Sequence, residues 1–421
     1  MIRRFSGIVL PALLLGACTL YRPAPIDLVR NTEHWRQFSA ALCPTGSHPS
    51  GEQLRDIGLL LNPDLNKARL TYARSTEVSR LAGLWSDPSL SFDWSKVMNE
   101  AVRNYGITPG LTLPVTGLPG LARKVAEQYR EADYWKMREQ ERSYIEELEG
   151  LRCRLLVVHR KQNAIRNRMP ELRREKEDMA RLQKLGEVSF ADYQVACQRL
   201  LDTEKEGQEL TAQHLELHAK LVSLLGLHPD ARRVEPLDDL PTLPAAAPVP
   251  TPEELTQAPA LLAELATYGA TEAELRREIR RQWPELGVSG IFEREEGENK
   301  RGFGISLDIP LWNRNREAIA KARGDRALQG SEVVARWRGL MQRAAELGDR
   351  QQLALQHCRT VADATRELEE AEQRQERLFS MGEATLPSLA EARHEVYQRR
   401  LNYLDCLAEL YEVQVPLRFL R

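Results

Sequence analysis

Two histidines four residues apart, His214 and His218 in "QHLELHAK", are the first residues whose spacing suits a chemical task. On a helix, imidazoles at i and i+4 share a face and can hold a metal ion between them. No cysteine lies near them and no third ligand is identifiable, so a solvated helix face accounts for the pair better than a metal centre. The adjacent His357 and Cys358 have less claim still. The chain contains no glycine-rich phosphate loop, no HExxH and no GxSxG, so no enzymatic activity and no cofactor is expected. Cys43, Cys153, Cys197, Cys358 and Cys406 are scattered without a CxxC; an oxidising compartment would permit disulfides among them, but their spacing requires none. A net charge of −2 and a sequence pI of about 6.5 leave no basic footprint for nucleic acid.

One cysteine stands apart from these. The N-terminus reads "MIRRFSGIVLPALLLGACTL": Arg3 and Arg4, an apolar run from Phe5 to Leu15, then small residues before Cys18. Residues 1–17 have the form of a secretory signal and are too short to span a membrane. Leu15-Gly16-Ala17-Cys18 resembles a bacterial lipobox, in which the Cys18 thiol is acylated with lipid and becomes the mature N-terminus. Thr19 stands where an Asp would retain the protein at the inner membrane, so the resemblance implies the outer membrane. Residues 18–50 are expected to be a lipidated, extended segment. No later stretch has 18 consecutive apolar residues, and a chain without such a helix can cross a membrane only as a closed barrel.

The remaining candidate residues recur. Arg181, Leu182, Gly186 and Glu187 in "RLQKLGEVS" reappear as Arg377, Leu378, Gly382 and Glu383 in "RLFSMGEAT", 196 residues on. Pro63, Pro88 and Pro114 are matched by Pro259, Pro284 and Pro310 at the same offset. The 421-residue chain is a tandem duplication, with a first repeat over 51–227, a second over 258–415 and a short tail at 416–421. Between the repeats, 228–257 carries seven prolines from Pro229 to Pro252, which exclude a continuous helix or a central strand and predict a semi-rigid surface crossover.

Each repeat must position its turn residues on the same set of elements. Alternation of apolar and polar residues predicts strands over about 88–95 and 104–114, then about 284–293 and 301–311. Leu90, Phe92 and Trp94 against Ser89, Ser91 and Asp93 show the pattern. It suits a membrane barrel strand and equally a half-buried soluble hairpin. From Pro114 to Gly186, and from Pro310 to Gly382, 72 residues read as helix, on the order of 100 Å if continuous. Tyr144, Leu148, Leu151, Leu155, Val158, Ile165, Met169, Leu172 and Met179 follow a heptad seam, with Pro170 a candidate kink. Gly186 and Gly382 suit left-handed helix ends, and Ser189 and Thr385 suit N-caps for a returning helix.

The lipobox followed by "YRPAP", "NPDL", the paired Pro-x-Leu, "IPLWNRNREAIAKAR" and the two "RLxxxGE" turns together resemble the TolC-like outer-membrane efflux channels over roughly 50–415. "IPLWNRNREAIAKAR" is most similar to the cobalt–zinc–cadmium and copper branch. The resemblance implies a mainly α protein with membrane β-structure: a homotrimer whose three chains form a 12-stranded barrel in outer-membrane lipid and a helical tunnel through the periplasm. It implies partners at the tunnel tip, a periplasmic adaptor (membrane fusion protein) and an inner-membrane pump of the RND type. The docking residues would be Arg181, Leu182, Gly186, Glu187, Arg377, Leu378, Gly382 and Glu383. Glu391 matches an entrance acid of the family, while Ser388 stands where a second acid is usual; Asp192 is either a further entrance acid or a capping partner of Ser189. A lipid-anchored periplasmic coiled-coil scaffold, or the outer duct of a type I secretion system, remain alternatives.

Overall fold

The computed structural model describes residues 21–43, 49–96, 103–230, 244–295 and 298–420. The signal sequence and Cys18 lie outside the described residues. The elements in chain order are α1 (Leu28–Leu42), α2 (Gly51–Leu61), α3 (Pro63–Leu81), β1 (Ser89–Lys96), β2 (Arg103–Leu113), α4 (Leu118–Leu185), α5 (Phe190–Leu224), α6 (Pro252–Leu255), α7 (Pro259–Arg280), β3 (Leu286–Glu295), β4 (Glu298–Leu307), α8 (Arg316–Ser380) and α9 (Leu386–Phe419). From α3 to α5 and again from α7 to α9 the order is the same: helix, strand pair, very long helix, returning helix. Pro63 and Pro259 open corresponding helices at a first-turn position, where the missing N–H of proline costs nothing.

The strands form one antiparallel sheet in the order β1-β2-β3-β4. Its register puts Leu90 opposite Pro109, Phe92 opposite Ile107, Ile107 opposite Phe292, and Leu111 opposite Val288, which faces Ile305. Because side chains alternate with period two, these residues lie on one apolar face, and that face is uncovered: Leu90 is 73% exposed and Ile305 68%. The other face carries Ser89 opposite Gly110, which faces Ser289, which faces Gly304; Gly287 opposite Ser306; and Asp93 opposite Gly106. Ile291 is an apolar exception there. Strand β4 begins at Glu298 and ends at Leu307, earlier than 301–311, because Asp308-Ile309-Pro310 leaves the ladder: Leu311 N–H turns back to Ile309 O at 2.9 Å.

Helix α4 is 68 residues long and α8 is 65, about 100 Å each at 1.5 Å per residue. Along α4 the heptad positions Tyr144, Leu148, Leu151, Leu155, Val158, Ile165, Leu172 and Met179 are buried. Much of this seam packs on Leu210, Leu217 and Leu221 of α5 and on Tyr397 and Leu401 of α9. Each such buried side chain contributes about 1.5–3 kcal/mol, more than the intrinsic helix propensity of any one residue. Met169 is the exception, only half-buried. The buried neighbour is Arg168, whose guanidinium is 5% exposed and bonds Glu175, 6% exposed, at 2.9 and 3.0 Å. Pro170 and Pro416 both sit inside unbroken helices.

Three segment boundaries differ from the sequence expectation. Residues 28–42 are helical, not extended: Asp27 accepts the Arg30 N–H and caps α1, which buries only Ser39. The tail beyond 415 continues α9 to Phe419, whose carbonyl accepts from Arg142 Nη1 at 2.7 Å. The crossover contains a short helix, α6, with Pro252 in its first turn and a Thr251–Glu254 capping box. Ahead of α6, Pro244, Ala247 and Pro250 are buried while the residues between them are exposed, the threefold period of polyproline II. Gln351 of α8 donates to Ala247 O at 2.9 Å and accepts its N–H at 2.7 Å, and Gln414 of α9 donates to Ala245 O at 3.0 Å.

Candidate functional site

The repeated turns are matching backbone structures. Helix α4 reaches Leu185; Gly186 follows at φ +77°, its N–H bonding Gln183 O at 3.1 Å and that of Glu187 bonding Leu182 O at 3.0 Å. After α8, Gly382 at φ +78° bonds Phe379 O at 3.0 Å and Glu383 bonds Leu378 O at 2.9 Å. This pair of bonds satisfies the last carbonyls of a helix and needs a left-handed residue between them. The Gly of "RLxxxGE" is therefore explained by its left-handed backbone, while the carbonyls of Leu182 and Leu378 accept as any residue's would. The side chains of Arg181, Glu187, Arg377 and Glu383 have no part in those bonds; all four are exposed, with Arg181 paired to Asp178 at 2.9 Å. Ser189 and Thr385 then cap α5 and α9 through the N–H groups of Asp192 and Ser388.

Sequence reading missed what surrounds these turns. Leu185 (72% exposed), Phe190, Leu378, Phe379 and Met381 all present apolar surface beside the two glycines. The signal was available as apolar residues inside polar turns. The two tips lie side by side, since Met179, Ala196 and Ala390 form one buried cluster with Val188, Tyr193 and Leu386 packed against it.

The two candidate entrance acids differ. Asp192 accepts the Ser189 hydroxyl at 2.6 Å and is half-buried at the start of α5, the geometry of a capping partner. Glu391 is exposed and makes no salt bridge among the described residues. Arg393, its near neighbour, instead binds Glu376 at 2.8 Å and Glu175 at 3.7 Å. Next to Glu391, His394 is held below the ordinary imidazole range by burial and by the positive charges of Arg199 and Arg168, against the pull of Asp202 and Glu391.

Where strands meet helices, Asn315 takes a left-handed conformation, φ +53°, and its amide donates to Glu278 O at 2.8 Å and Glu278 Oε2 at 2.9 Å. Two bonds to one residue offset the strain of a non-glycine at positive φ. The His214 and His218 rings are 6.2 Å apart. His218 lines an apolar cavity of about 880 Å³ with Trp35, Leu61, Leu215, Val222 and Leu227, and among the described residues no three potential ligands are grouped around a metal position.

This arrangement matches solved structures over nearly its whole length. A membrane protein from Pseudomonas aeruginosa superposes with a TM-score of 0.75 at 16% identity, covering 96% of this chain and 99% of that one. CusC superposes at 0.73 and 14%, covering 95% of each chain, and the CmeC outer membrane channel of Campylobacter jejuni at 0.71 and 13%, covering 96% and 90%. The chain has the TolC-like outer-membrane channel fold. No protein-family model and no curated protein matches the sequence. Within that fold β1–β4 form the sheet, and the paired long hairpins end at the two glycine turns. No helix among the described residues is long and apolar enough to cross a membrane.

Proposed function

We propose that this chain is one protomer of a trimeric outer-membrane duct that exports small solutes. The observation that carries the reading is the sheet: one face apolar and uncovered, with β1 and β4 both unpaired at its edges. Bare strand edges are not tolerated in lipid unless neighbouring copies close them, while the apolar face is shielded from water once lipid covers it. Four strands fall short of the roughly eight that the smallest barrels need, whereas three copies supply twelve. The likeness in fold to outer-membrane channels supports the same assembly. Cys18 would anchor each protomer by lipid in the periplasmic leaflet of the outer membrane, adding to the affinity of the barrel.

The glycine turns with their exposed Leu185, Phe190, Leu378, Phe379 and Met381 are the docking surface for a periplasmic adaptor, which couples the duct to an inner-membrane pump of the RND type. Arg181, Glu187, Arg377 and Glu383 supply the polar contacts around it. Glu391, without a salt bridge among the described residues, forms a ring of three carboxylates at the entrance, favouring cations; heavy-metal cations are the candidate solute from the resemblance of "IPLWNRNREAIAKAR" to the cobalt–zinc–cadmium and copper branch. Asp192 contributes less, being engaged with Ser189.

The deciding experiment is native mass spectrometry in mild detergent with planar-bilayer recording of the same sample. A trimer that conducts is expected; a monodisperse monomer would leave the scaffold reading in its place. Glu391→Gln is expected to lose cation preference, read as a shifted reversal potential, and an unaltered potential removes Glu391 from the entrance. Gly186→Pro and Leu378→Asp are expected to abolish export at unchanged trimer yield. Normal export in both would reduce the turns to helix ends.

A further inference from the structure

Cys358 on α8 and Cys406 on α9 meet across the second long hairpin. Cys358 lies 22 residues before the helix end at Ser380, and Cys406 lies 20 residues after the start of α9 at Leu386. Antiparallel packing therefore brings them to the same height. Contacts closer to the turn follow the same register: Gln375 Nε2 donates to Ser388 Oγ at 2.8 Å and Arg400 pairs with Glu369 at 2.7 Å. The two thiols lie together inside an apolar cluster with Leu355, Val361 and Leu410. Cys358 is fully buried and Cys406 is 4% exposed. The other described cysteines belong elsewhere: Cys43 to the core around Tyr144, Cys153 to a cluster with Tyr411, and Cys197 beside Tyr193.

We propose that Cys358 and Cys406 are joined by a disulfide as the exported chain folds, stapling α8 to α9 about 33 Å from the hairpin tip at 1.5 Å per residue. The proposal rests on the export reading above, because thiols meet a protein oxidant in an exported chain and are kept reduced in the cytosol. In the packed hairpin His357, on the exposed side, has a ring nitrogen 3.6 Å from the Cys406 sulfur. The Cys406 thiolate attacks one sulfur of a disulfide-bearing protein oxidant, forming a mixed disulfide and releasing one oxidant thiolate. The Cys358 thiolate then attacks the Cys406 sulfur; the mixed bond breaks and the second oxidant thiolate leaves. Two protons and two electrons pass to the oxidant, which ends as a dithiol.

Timing follows from burial. In the packed hairpin, burial and then the neighbouring Cys406 push the Cys358 thiol up to about 12. Cys406 is raised by burial and by Glu409 and Asp405. Protonated, enclosed thiols react slowly, so the bond forms before α8 and α9 close on each other. Once made, it prevents the two helices from sliding along their axes while leaving the hairpin free to move as one body.

The test is peptide mass mapping of the protein purified from the cell envelope, alkylated in denaturant without reductant. A linked pair of peptides carrying Cys358 and Cys406 is expected, with a reductant lowering the thermal midpoint of the wild type but not of Cys358→Ser/Cys406→Ser. Alkylation of both cysteines overturns the proposal. Whether the channel reading stands is decided separately, by the oligomer mass and conductance of that same preparation. A second arm does not depend on location: the reduced chain, unfolded and refolded in a glutathione redox buffer, is expected to form the same link, and other pairings or none overturn it.

Discussion

Three helix ends in this chain share one backbone solution, and they separate two physical effects of a single methyl group. Gly186, Gly226 and Gly382 have φ of +77°, +70° and +78°, each followed by a residue bonding back to the final helical turn. An alanine at positive φ costs about 1–2 kcal/mol, partly offset by about 0.4–1 kcal/mol from a stiffer unfolded chain. At Gly186 and Gly382 a Cβ would meet nothing within 4 Å, so Gly186→Ala and Gly382→Ala are each expected to cost about 1 kcal/mol. At Gly226 the Cβ would fall 2.5 Å from Leu61 O, 2.8 Å from Leu61 C and 3.2 Å from Asn62 Cα. Those are backbone atoms at the join of α2 and α3, where Asn62 also donates to Leu224 O at 2.8 Å. Nothing flexible can yield, and overpacking adds about 1–3 kcal/mol. Gly226→Ala is thus expected to cost about 2–4 kcal/mol in total. Urea denaturation of the purified protein, followed by helical circular dichroism, reads the three midpoints at constant m-value. Equal losses at the three sites, or larger ones at Gly186 and Gly382, would refute the steric argument.

Two further outcomes follow from buried charge. Glu175→Gln leaves the enclosed Arg168 with only the exposed Glu171 at 2.8 Å and is expected to cost about 3–5 kcal/mol, most of it recovered in Arg168→Met/Glu175→Leu; a neutral single variant in the same melts would count against a buried pair. Asn315→Ala removes both bonds to Glu278. Burial pushes the Glu278 carboxyl up, but Asn315, Arg281 and Arg277 together hold it below its ordinary value. A depressed carboxylate stabilises the fold above the unfolded value of about 4.3, and that contribution is lost as pH falls through the folded value. The stability gap between wild type and Asn315→Ala is expected to shrink toward acid, and a gap independent of pH would show that Glu278 does not carry it.

The duplicated frame was legible because one offset relates prolines, strands and glycines, and each has a local physical meaning. The heptad seam was legible as far as apolar residues mark it. It fails at Met169 because Arg168 and Glu175, two turns apart on the buried side, neutralise each other; an apolar pattern cannot show a pair that is buried only because it is paired. Helix α1 escaped for the opposite reason, since Leu28, Val29 and Phe38 are exposed among the described residues and show no buried period to read. The end of β4 was overrun because Ile309 and Leu311 continue the alternation after the ladder has ended at Leu307. At the candidate site, the turn glycines could be read from sequence, while the apolar rim at Phe190 and Met381 became visible only once both tips lay together.

The polar face of the sheet has a further consequence. Across its strands, serine and glycine stand opposite each other: a Cβ on Gly110 would lie 2.6 Å from Ser89 Oγ, one on Gly287 2.1 Å from Ser306 Oγ, and one on Gly304 2.6 Å from Ser289 Oγ. In each of these pairs the serine hydroxyl occupies the space a side chain on the glycine would take, and an added methyl would require that hydroxyl to rotate away. At these positions the sheet is thin and even, made of peptide planes and hydroxyls instead of long side chains. A side chain added at any of these three glycines must displace its partner's hydroxyl or project away from the sheet, so each serine rotamer is tied to the glycine across from it.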